Sequence, residues 1–556
     1  MDRPRALRFA RYLALVCAFA LLALLGARPL EHDDLFFHLR TGALIAQTGS
    51  IPHSDPFSFT LPGAPWTTHE WGFALLAYGV YRAAGYAGLV WFTALLAVSV
   101  FGLVYLLMRR LATAERASLL VPLLLLGVLA AHRSGFIMRA AFVATLCFAV
   151  LQYLLHVNYA KPSRASSLGI VALCWFWANL HVSVVFGLCI VWLYWLQVSW
   201  DAWRAGRPLS RAGLHSRALL ALACTAITFA NANGWKLWTF PFELNALYYH
   251  SGLSWTLNMF KPPRPGNAPF FFLLCVVTLG ACLPLARLRA TLLASRHPLL
   301  FQSFAALFFL GMALRSMRFI PEFCVFALPL CAALLPAPRE RWQLGTHAAS
   351  LIAAVLIAAV LRPLPPSEPI AATFPKRAVE FMRREQLRGR MFNYENWGGY
   401  LGWQLKLPVY WDGRNDVFGP LAHEFADLDD DPAELVRRHA IDMLVLNESY
   451  QQRFASYLRA HRAEWAVVYF DDRLALYVRK ASQPQVFLER YAYELLQPFG
   501  VPSSEALARA AQHPLARQKL EREIAQLQRQ NPESELGAYL RDAFARARGA
   551  LHAQNM

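Results

Sequence analysis

Two adjacent carboxylates, Asp33 and Asp34, head a segment from Glu31 to Trp71 that also holds Asp55, Glu70, His32, His38, His53 and His69. Carboxylates and imidazoles are the side chains that most often take or give protons in catalysis. Pro52, Pro56, Pro62 and Pro65 stiffen the same segment. Acids and imidazoles crowded onto a stiff loop point to a reaction site rather than a spacer. His38 follows Asp34 by four residues, so on a helix the two share a face. Each residue also has a structural reading. Asp33 and Asp34 suit caps of a helix over Leu35–Gln47. His38 suits a plain hydrogen bond, Asp55 before Pro56 suits a turn, and His69 with Glu70 suits the cap of the next helix.

The elements that must hold these groups are apolar. Of 556 residues, 56% are hydrophobic and 16% charged, the balance of a multi-span membrane protein. The net charge of +18 does not point to nucleic acid, because much of the arginine sits in short clusters between apolar runs, as cytoplasmic loops require. A basic start and the run Tyr12 to Gly26 read as a retained signal-anchor. Phe73–Tyr81 is short for a span and reads as a re-entrant or interfacial helix. Ala87–Met108 is a full span, and others follow near 117–131, 139–157, 166–180, 183–200, 217–230, 270–286, 298–314, 318–336 and 346–362. The expected total is about eleven spans.

With the N-terminus in the cytoplasm, every inside loop is basic: Arg109/Arg110/Arg116, Lys161/Arg164, Arg204/Arg207/Arg211/Arg217, Arg287/Arg289/Arg296 and Arg339/Arg341. The outer ends then hold Arg133, Arg139, Asn179, His181, Asn231, Asn233, Lys236, Glu243, Arg315 and Arg318. Arginines at outer ends run against the charge rule and suit either headgroups or a function. The outer loop 231–269 is rich in Trp and Tyr, which anchor at headgroup depth and also stack on sugars. All nine cysteines lie in apolar runs, so neither a disulfide framework nor a CxxC metal spacing is expected.

The predicted organisation is a transmembrane domain over 1–363 with a large first outer loop over 29–86, an extracytoplasmic α/β domain over 364–482, and a helical tail over 483–556. In the α/β domain Arg390–Asn393, Val409–Asp412 and Met443–Leu446 read as buried strands, and Trp465–Phe470 with Leu474–Val478 as a hairpin. Gly398 and Gly399 mark a tight turn where backbone approaches a ligand. The tail is expected to form solvated helices broken at Pro498, Pro502, Pro514 and Pro532.

No P-loop, GxGxxG fingerprint or serine elbow occurs, so no soluble nucleotide is implied. An outward membrane site without nucleotides can draw its donor from the membrane, as a lipid phosphate. Glycosyl transfer then needs a carboxylate to accept the acceptor's proton, cations for the leaving phosphate, and an apolar groove. Asp33/Asp34, Arg139/Arg315/Arg318 and the span surfaces are the candidates. Arginine suits phosphate because its fork binds two oxygens.

Several segments resemble a family of bacterial polytopic proteins of the GT-C superfamily, glycosyltransferases that use lipid-phosphate sugars. They are Asp34-Leu35-Phe36-Phe37-His38-Leu39-Arg40-Thr41-Gly42, Ile51-Pro52, Asp55-Pro56-Phe57-Ser58, His69-Glu70-Trp71, Trp177-Ala178-Asn179-Leu180-His181, Arg318, Asn396-Trp397-Gly398-Gly399-Tyr400-Leu401 and Asp412-Gly413-Arg414. The resemblance runs from about residue 30 to 480 and omits the tail. It implies a mainly α, polytopic transmembrane bundle with an extracytoplasmic α/β domain, in a bacterial inner membrane. It implies Asp34 as acid/base, with Asp33 as alternative and His38 beside it. It implies a polyprenyl-phosphate donor and an envelope glycan, lipid or protein acceptor. Asp55, His69, Glu70, Arg139, Asn179, His181, Arg315, Arg318, Asp412 and Arg414 are the expected substrate-binding residues. Asp412 and Arg414 also suit an ion pair at a strand end. The Asp33–Asp34 pair leaves a divalent cation open, with too few convergent ligands to predict one. The sequence departs from the pattern at Arg139-Ala140, where Arg-Pro is expected, and at Asn231-Ala232-Asn233-Gly234, where Asn-Pro-x-Gly is expected. The rival readings are a non-catalytic scaffold that binds an envelope lipid, and a transporter or flippase.

Overall fold

The structure is a computed structural model that describes residues 3–204, 211–250, 261–283, 298–421, 431–500 and 502–554. Arg207, Arg287, Arg289 and Arg296 of the expected inside loops, and 251–260 of the aromatic outer loop, lie outside the described residues. The chain folds as two units, Met1–Ile51 with Thr67–Ala371 and Pro52–Trp66 with Ala372–Met556. Residues 52–66 of the expected first outer loop thus belong with the C-terminal unit, where the sequence reading keeps the whole loop with the transmembrane part.

The first unit is helical. Its helices are α1 (Arg3–Gly26), α2 (Asp34–Thr48), α3 (Trp71–Leu111), α4 (Leu120–Gly135), α5 (Ala140–Ala160), α6 (Arg164–Ala178), α7 (Val184–Arg204), α8 (Arg211–Ile227), α9 (Lys236–His250), α10 (Pro269–Cys282), α11 (Leu299–Arg315), α12 (Ile320–Leu334) and α13 (Glu340–Leu361). Among the described residues, seven helical segments are long and apolar enough to cross a membrane, and four shorter apolar ones stand at the remaining expected positions. Helices dominate because lipid cannot satisfy backbone polar groups, so each segment must do so internally.

Helix α12 is the hub. All fifteen of its residues are buried, and it packs on α3, α4, α5, α10 and α11. Apolar on every side, it suits no other position. A Cβ at Gly127 of α4 would come within 2.4 Å of Leu328 Cδ1, so the small residue sets the α4–α12 distance.

The expected interfacial helix is longer than Phe73–Tyr81. It opens α3 at Trp71 and runs to a kink at Gly85, whose φ is 62°, a conformation that favours glycine. Helix α2 lies against this first half of α3. Its last turn closes at Gly49 (φ 67°), whose N–H bonds Ile45 O at 2.8 Å. At Gly42 a Cβ would sit 2.2 Å from Ala74 O, so glycine permits the close approach that holds α2, and Asp34 with it, in place.

Some buried polar groups bond one another between helices. Within the bundle Gln152 Nε2 donates to Gln302 Oε1 at 3.0 Å, His156 Nε2 lies 3.1 Å from the same oxygen, and Gln302 Nε2 donates to Phe326 O at 2.6 Å. These bonds join α5, α11 and α12 in the manner of interhelical polar contacts in membranes.

The second unit contains strands β1 (Met391–Asn393), β2 (Met443–Asn447), β3 (Trp465–Phe470) and β4 (Leu474–Arg479) in the order β1-β2-β4-β3. β1 and β2 are parallel; the other pairs are antiparallel. Val409–Asp412 is not a strand, because Val409 makes only isolated bridges, to Ser58 and Met391. Gly398 does not open toward a ligand: a Cβ there would lie 1.8 Å from Trp411 O, so the close approach is to the chain's own backbone. The tail forms helices Gln485–Tyr491, Ser504–Gln512, Pro514–Gln530 and Glu535–Gln554. The buried Glu523 carboxylate accepts the N–H groups of Glu494, Leu495 and Leu496, which fastens the tail's long helix.

Candidate active site

Asp34 is the first residue of α2, and Asp33 holds the N-cap position without a side-chain capping bond. The capping role open to Asp33 is therefore not taken by its side chain. Asp34 Oδ2 accepts from Arg139 Nη2 at 2.8 Å, with side chains 18% and 24% exposed. Arg139 is the N-cap of α5, in extended backbone. Ala140 takes the next position as regularly as proline would, so the departure from Arg-Pro leaves the helix start intact. His32 stands on the other side of Asp34. Its Nδ1 accepts the Asp34 backbone N–H at 3.4 Å. Burial and Arg139 together outweigh the nearby Asp34 and lower the His32 pKa to about 4. The ring is therefore neutral at physiological pH, and its 3.3 Å approach to Asp34 Oδ2 is not an ion pair.

One turn further along α2, His38 Nε2 lies 3.1 Å from Glu70 Oε2. Glu70 is the N-cap residue of α3, without a side-chain capping bond, and it gathers two more imidazoles. His181 Nε2 lies 3.4 Å and His69 Nε2 3.8 Å from Oε1. His181 sits in the turn between α6 and α7. The Ser183 amide donates to its Nδ1 at 3.1 Å, so that nitrogen is bare and the ring hydrogen on Nε2 points to Glu70. Ser183 in turn accepts from Trp177 Nε1 at 3.1 Å. His69 Nδ1 donates to Thr67 O at 3.1 Å. Burial opposes ionisation of Glu70, but His69, His38 and His181 outweigh it and hold the carboxyl well below the usual range. Burial lowers His181 to about 3, helped by Arg318 and opposed by Glu70.

The structure thus brings together Asp34, His38, His69, Glu70, Arg139 and His181, with Arg318 and Arg139 both near enough to act on His181. Arg318 sits half-buried just before α12. Other expected members are elsewhere. Arg315 ends α11 exposed and makes no ion pair among the described residues. Asn179 caps α6 and its side-chain amide donates to Trp175 O at 2.9 Å, while its backbone carbonyl accepts Gly72 N–H at 3.0 Å. Its bond to Gly72 fixes the start of α3, and hence Glu70. The altered Asn231–Gly234 segment forms a turn in which Asn233 N–H bonds Asn231 Oδ1 at 2.7 Å and Asn233 Nδ2 reaches Thr68 O at 3.4 Å.

Asp55, Asp412 and Arg414 belong to the second unit and form a closed buried triad. Arg414 binds Asp412 through Nε at 2.8 Å and Nη2 at 2.9 Å, and Asp55 through Nη1 at 2.5 Å. Asp55 also accepts the N–H groups of Phe57 and Ser58 and the Ser58 hydroxyl. The three side chains are at most 2% exposed. One another and the backbone occupy all three side chains, which matches the ion pair that Asp412 and Arg414 also suit.

Sequence reading missed Glu322 and the part played by His32. Glu322 lies in α12 and accepts from Thr145 Oγ1 at 2.6 Å; its Oε2 is buried without a hydrogen-bond partner among the described residues. Its position four residues after Arg318, inside an apolar run, was the available signal. Among the described residues no group of three or more His, Cys, Asp or Glu could hold a metal ion.

These shifts set a pH dependence. Below pH 6.5 the unfolded chain protonates His32 and His181, while the folded site refuses the proton down to about 4 and about 3. Stability is therefore complete above pH 6.5 and falls as pH falls. Each histidine should cost about 2 kcal/mol at pH 5, at 1.36 kcal/mol per pKa unit. Thermal melts of the detergent-solubilised protein should drop from pH 7.5 to 5, and His32→Asn should flatten that slope.

No protein-family model and no curated protein matches the chain. Solved structures do. The Archaeoglobus fulgidus oligosaccharyltransferase AglB, in complex with an inhibitory peptide and a dolichol-phosphate, aligns at TM-score 0.56 and 11% identity over 83% of this chain and 72% of that one. The Archaeoglobus fulgidus oligosaccharyltransferase complex with Zn and sulfate aligns at 0.57 and 12% identity, over 94% and 86%. ArnT from Cupriavidus metallidurans in the apo state aligns at 0.50 and 13% identity, over 86% and 98%. The protein therefore shares the fold of these solved structures.

Proposed function

We propose that this protein is a membrane glycosyltransferase that moves a sugar from a polyprenyl-phosphate donor to an acceptor hydroxyl on the extracytoplasmic face of a bacterial inner membrane. The acceptor is an envelope glycan, lipid or protein. The observation that carries the reading is the convergence of Asp34, Arg139 and the Glu70–histidine group around the start of α2. Asp34 takes the acceptor proton as the new bond to the anomeric carbon forms. The bond from that carbon to the phosphate oxygen breaks, and polyprenyl phosphate leaves. Arg139 and Arg318 supply the positive charge that offsets the growing charge on the phosphate. His38 orients α2 through Glu70. The dolichol-phosphate in the AglB structure supports a lipid-linked donor on this fold.

The test is transfer of labelled sugar from polyprenyl-phosphate donors in membranes with and without the protein. Transfer that depends on the protein is expected. Equal background in both, across the donor set, would leave the scaffold reading in its place.

A further inference from the structure

A second polar group lies wholly in the C-terminal unit. β1 and β2 run parallel and in register, with Met391 opposite Met443 and Asn393 opposite Val445, so their carboxyl ends finish side by side. In open α/β sheets, ligands bind outside the carboxyl ends of the strands. Past β1 the chain places Tyr394, Glu395 and Asn396. Past β2 it places Tyr450 on the helix Glu448–Ala460, which Asn447 caps by accepting the Tyr450 N–H at 2.9 Å. Tyr450 donates its hydroxyl hydrogen to Glu395 Oε2 at 2.9 Å, and Asn396 Nδ2 donates to the Tyr394 hydroxyl at 2.6 Å. The two tyrosine rings are 5.7 Å apart at 57°.

A purely structural group would be expected to close over these atoms. Here Tyr394 and Glu395 are half-buried and Asn396 is exposed. Burial raises the Glu395 pKa, against the Tyr450 hydrogen bond and the charge of Arg453. Arg453 lies over the Tyr450 ring at 5.5 Å, and the acid beside it disfavours phosphate or sulfate. The remaining chemistry is a carboxyl and an amide for hydroxyl groups beside an aromatic face for an apolar CH surface.

We propose that the carboxyl ends of β1 and β2 form a binding site for a neutral oligosaccharide, with Glu395 and Asn396 contacting hydroxyls and Tyr394 offering its ring. The site stands apart from the transfer reading, since it needs neither donor nor Asp34. The experiment is calorimetry of the full-length, detergent-solubilised protein with chitohexaose, cellohexaose and maltohexaose, and with spermidine as a cationic control, in the absence of any donor. Saturable binding of at least one hexasaccharide is expected. It should weaken about tenfold or more in Asn396→Ala, a surface change that spares the fold, and in Glu395→Gln, with unchanged melting temperatures. Absence of binding by all three sugars, or undiminished binding in both variants, overturns the proposal. So does binding of spermidine in place of sugar.

Discussion

Replacing Asp34 by Asn is expected to lower sugar transfer by about 10²- to 10⁴-fold, the usual worth of a positioned proton acceptor, while the protein still inserts and folds. The amide keeps the shape of the carboxylate and can still accept from Arg139, so the position changes in basicity more than in packing. The ion pair is partly exposed on both sides, and its loss should cost only about 1 kcal/mol. Asp33→Asn is the internal control. Its side chain makes no capping bond, and if Asp34 is the base, Asp33→Asn should reduce transfer far less. Initial rates with saturating donor, beside a melting curve for each variant, decide the matter. Unchanged transfer in Asp34→Asn would remove the mechanism, and a larger loss in Asp33→Asn would move the role one residue.

The largest stability effect should come from Arg414, far from α2 in sequence. Arg414→Met leaves Asp55 and Asp412 buried with no counter-charge, and removal of one partner from a buried ion group costs about 3–5 kcal/mol. The aromatic rings of Trp66 and Phe57, 4.8 and 5.1 Å from the guanidinium carbon, would also lose their cation. The C-terminal unit of the variant should melt well below that of the parent, and limited proteolysis should cut first within 52–66. Arg414→Lys should rescue little, because an ammonium cannot form the fork seen at Asp412. A variant with parental melting and protease resistance would show that the triad contributes nothing.

Much of the fold was legible because span length and basic loops are coarse signals. The apolar runs and the arginine clusters between them follow from lipid thickness and charge placement. The site was partly legible for a different reason. Asp34 and His38 are four residues apart on a predicted helix, and Glu70 stands beside His69 in one short motif. Three-dimensional convergence is what sequence cannot carry. That His181 would turn its Nε2 to Glu70 depends on the α6–α7 turn and on the Ser183 amide. Asp55 and Arg414 stand in polar motifs that look alike whether they face a ligand or each other. Only burial separates the two. Val409–Asp412 carried a strand's composition but had no neighbour able to complete a ladder.

The loan of residues 52–66 to the C-terminal unit has a consequence for biosynthesis. Asp55 meets its arginine across 359 positions of chain, so this piece emerges early from the ribosome and waits while nearly all of the membrane part is made. A prematurely ended product would leave it stranded, and a fragment beginning at residue 372 would carry a guanidinium with one of its two acids missing. The distal domain therefore cannot be completed before Arg414 has been made, and quality-control proteases would find their first foothold in that waiting segment.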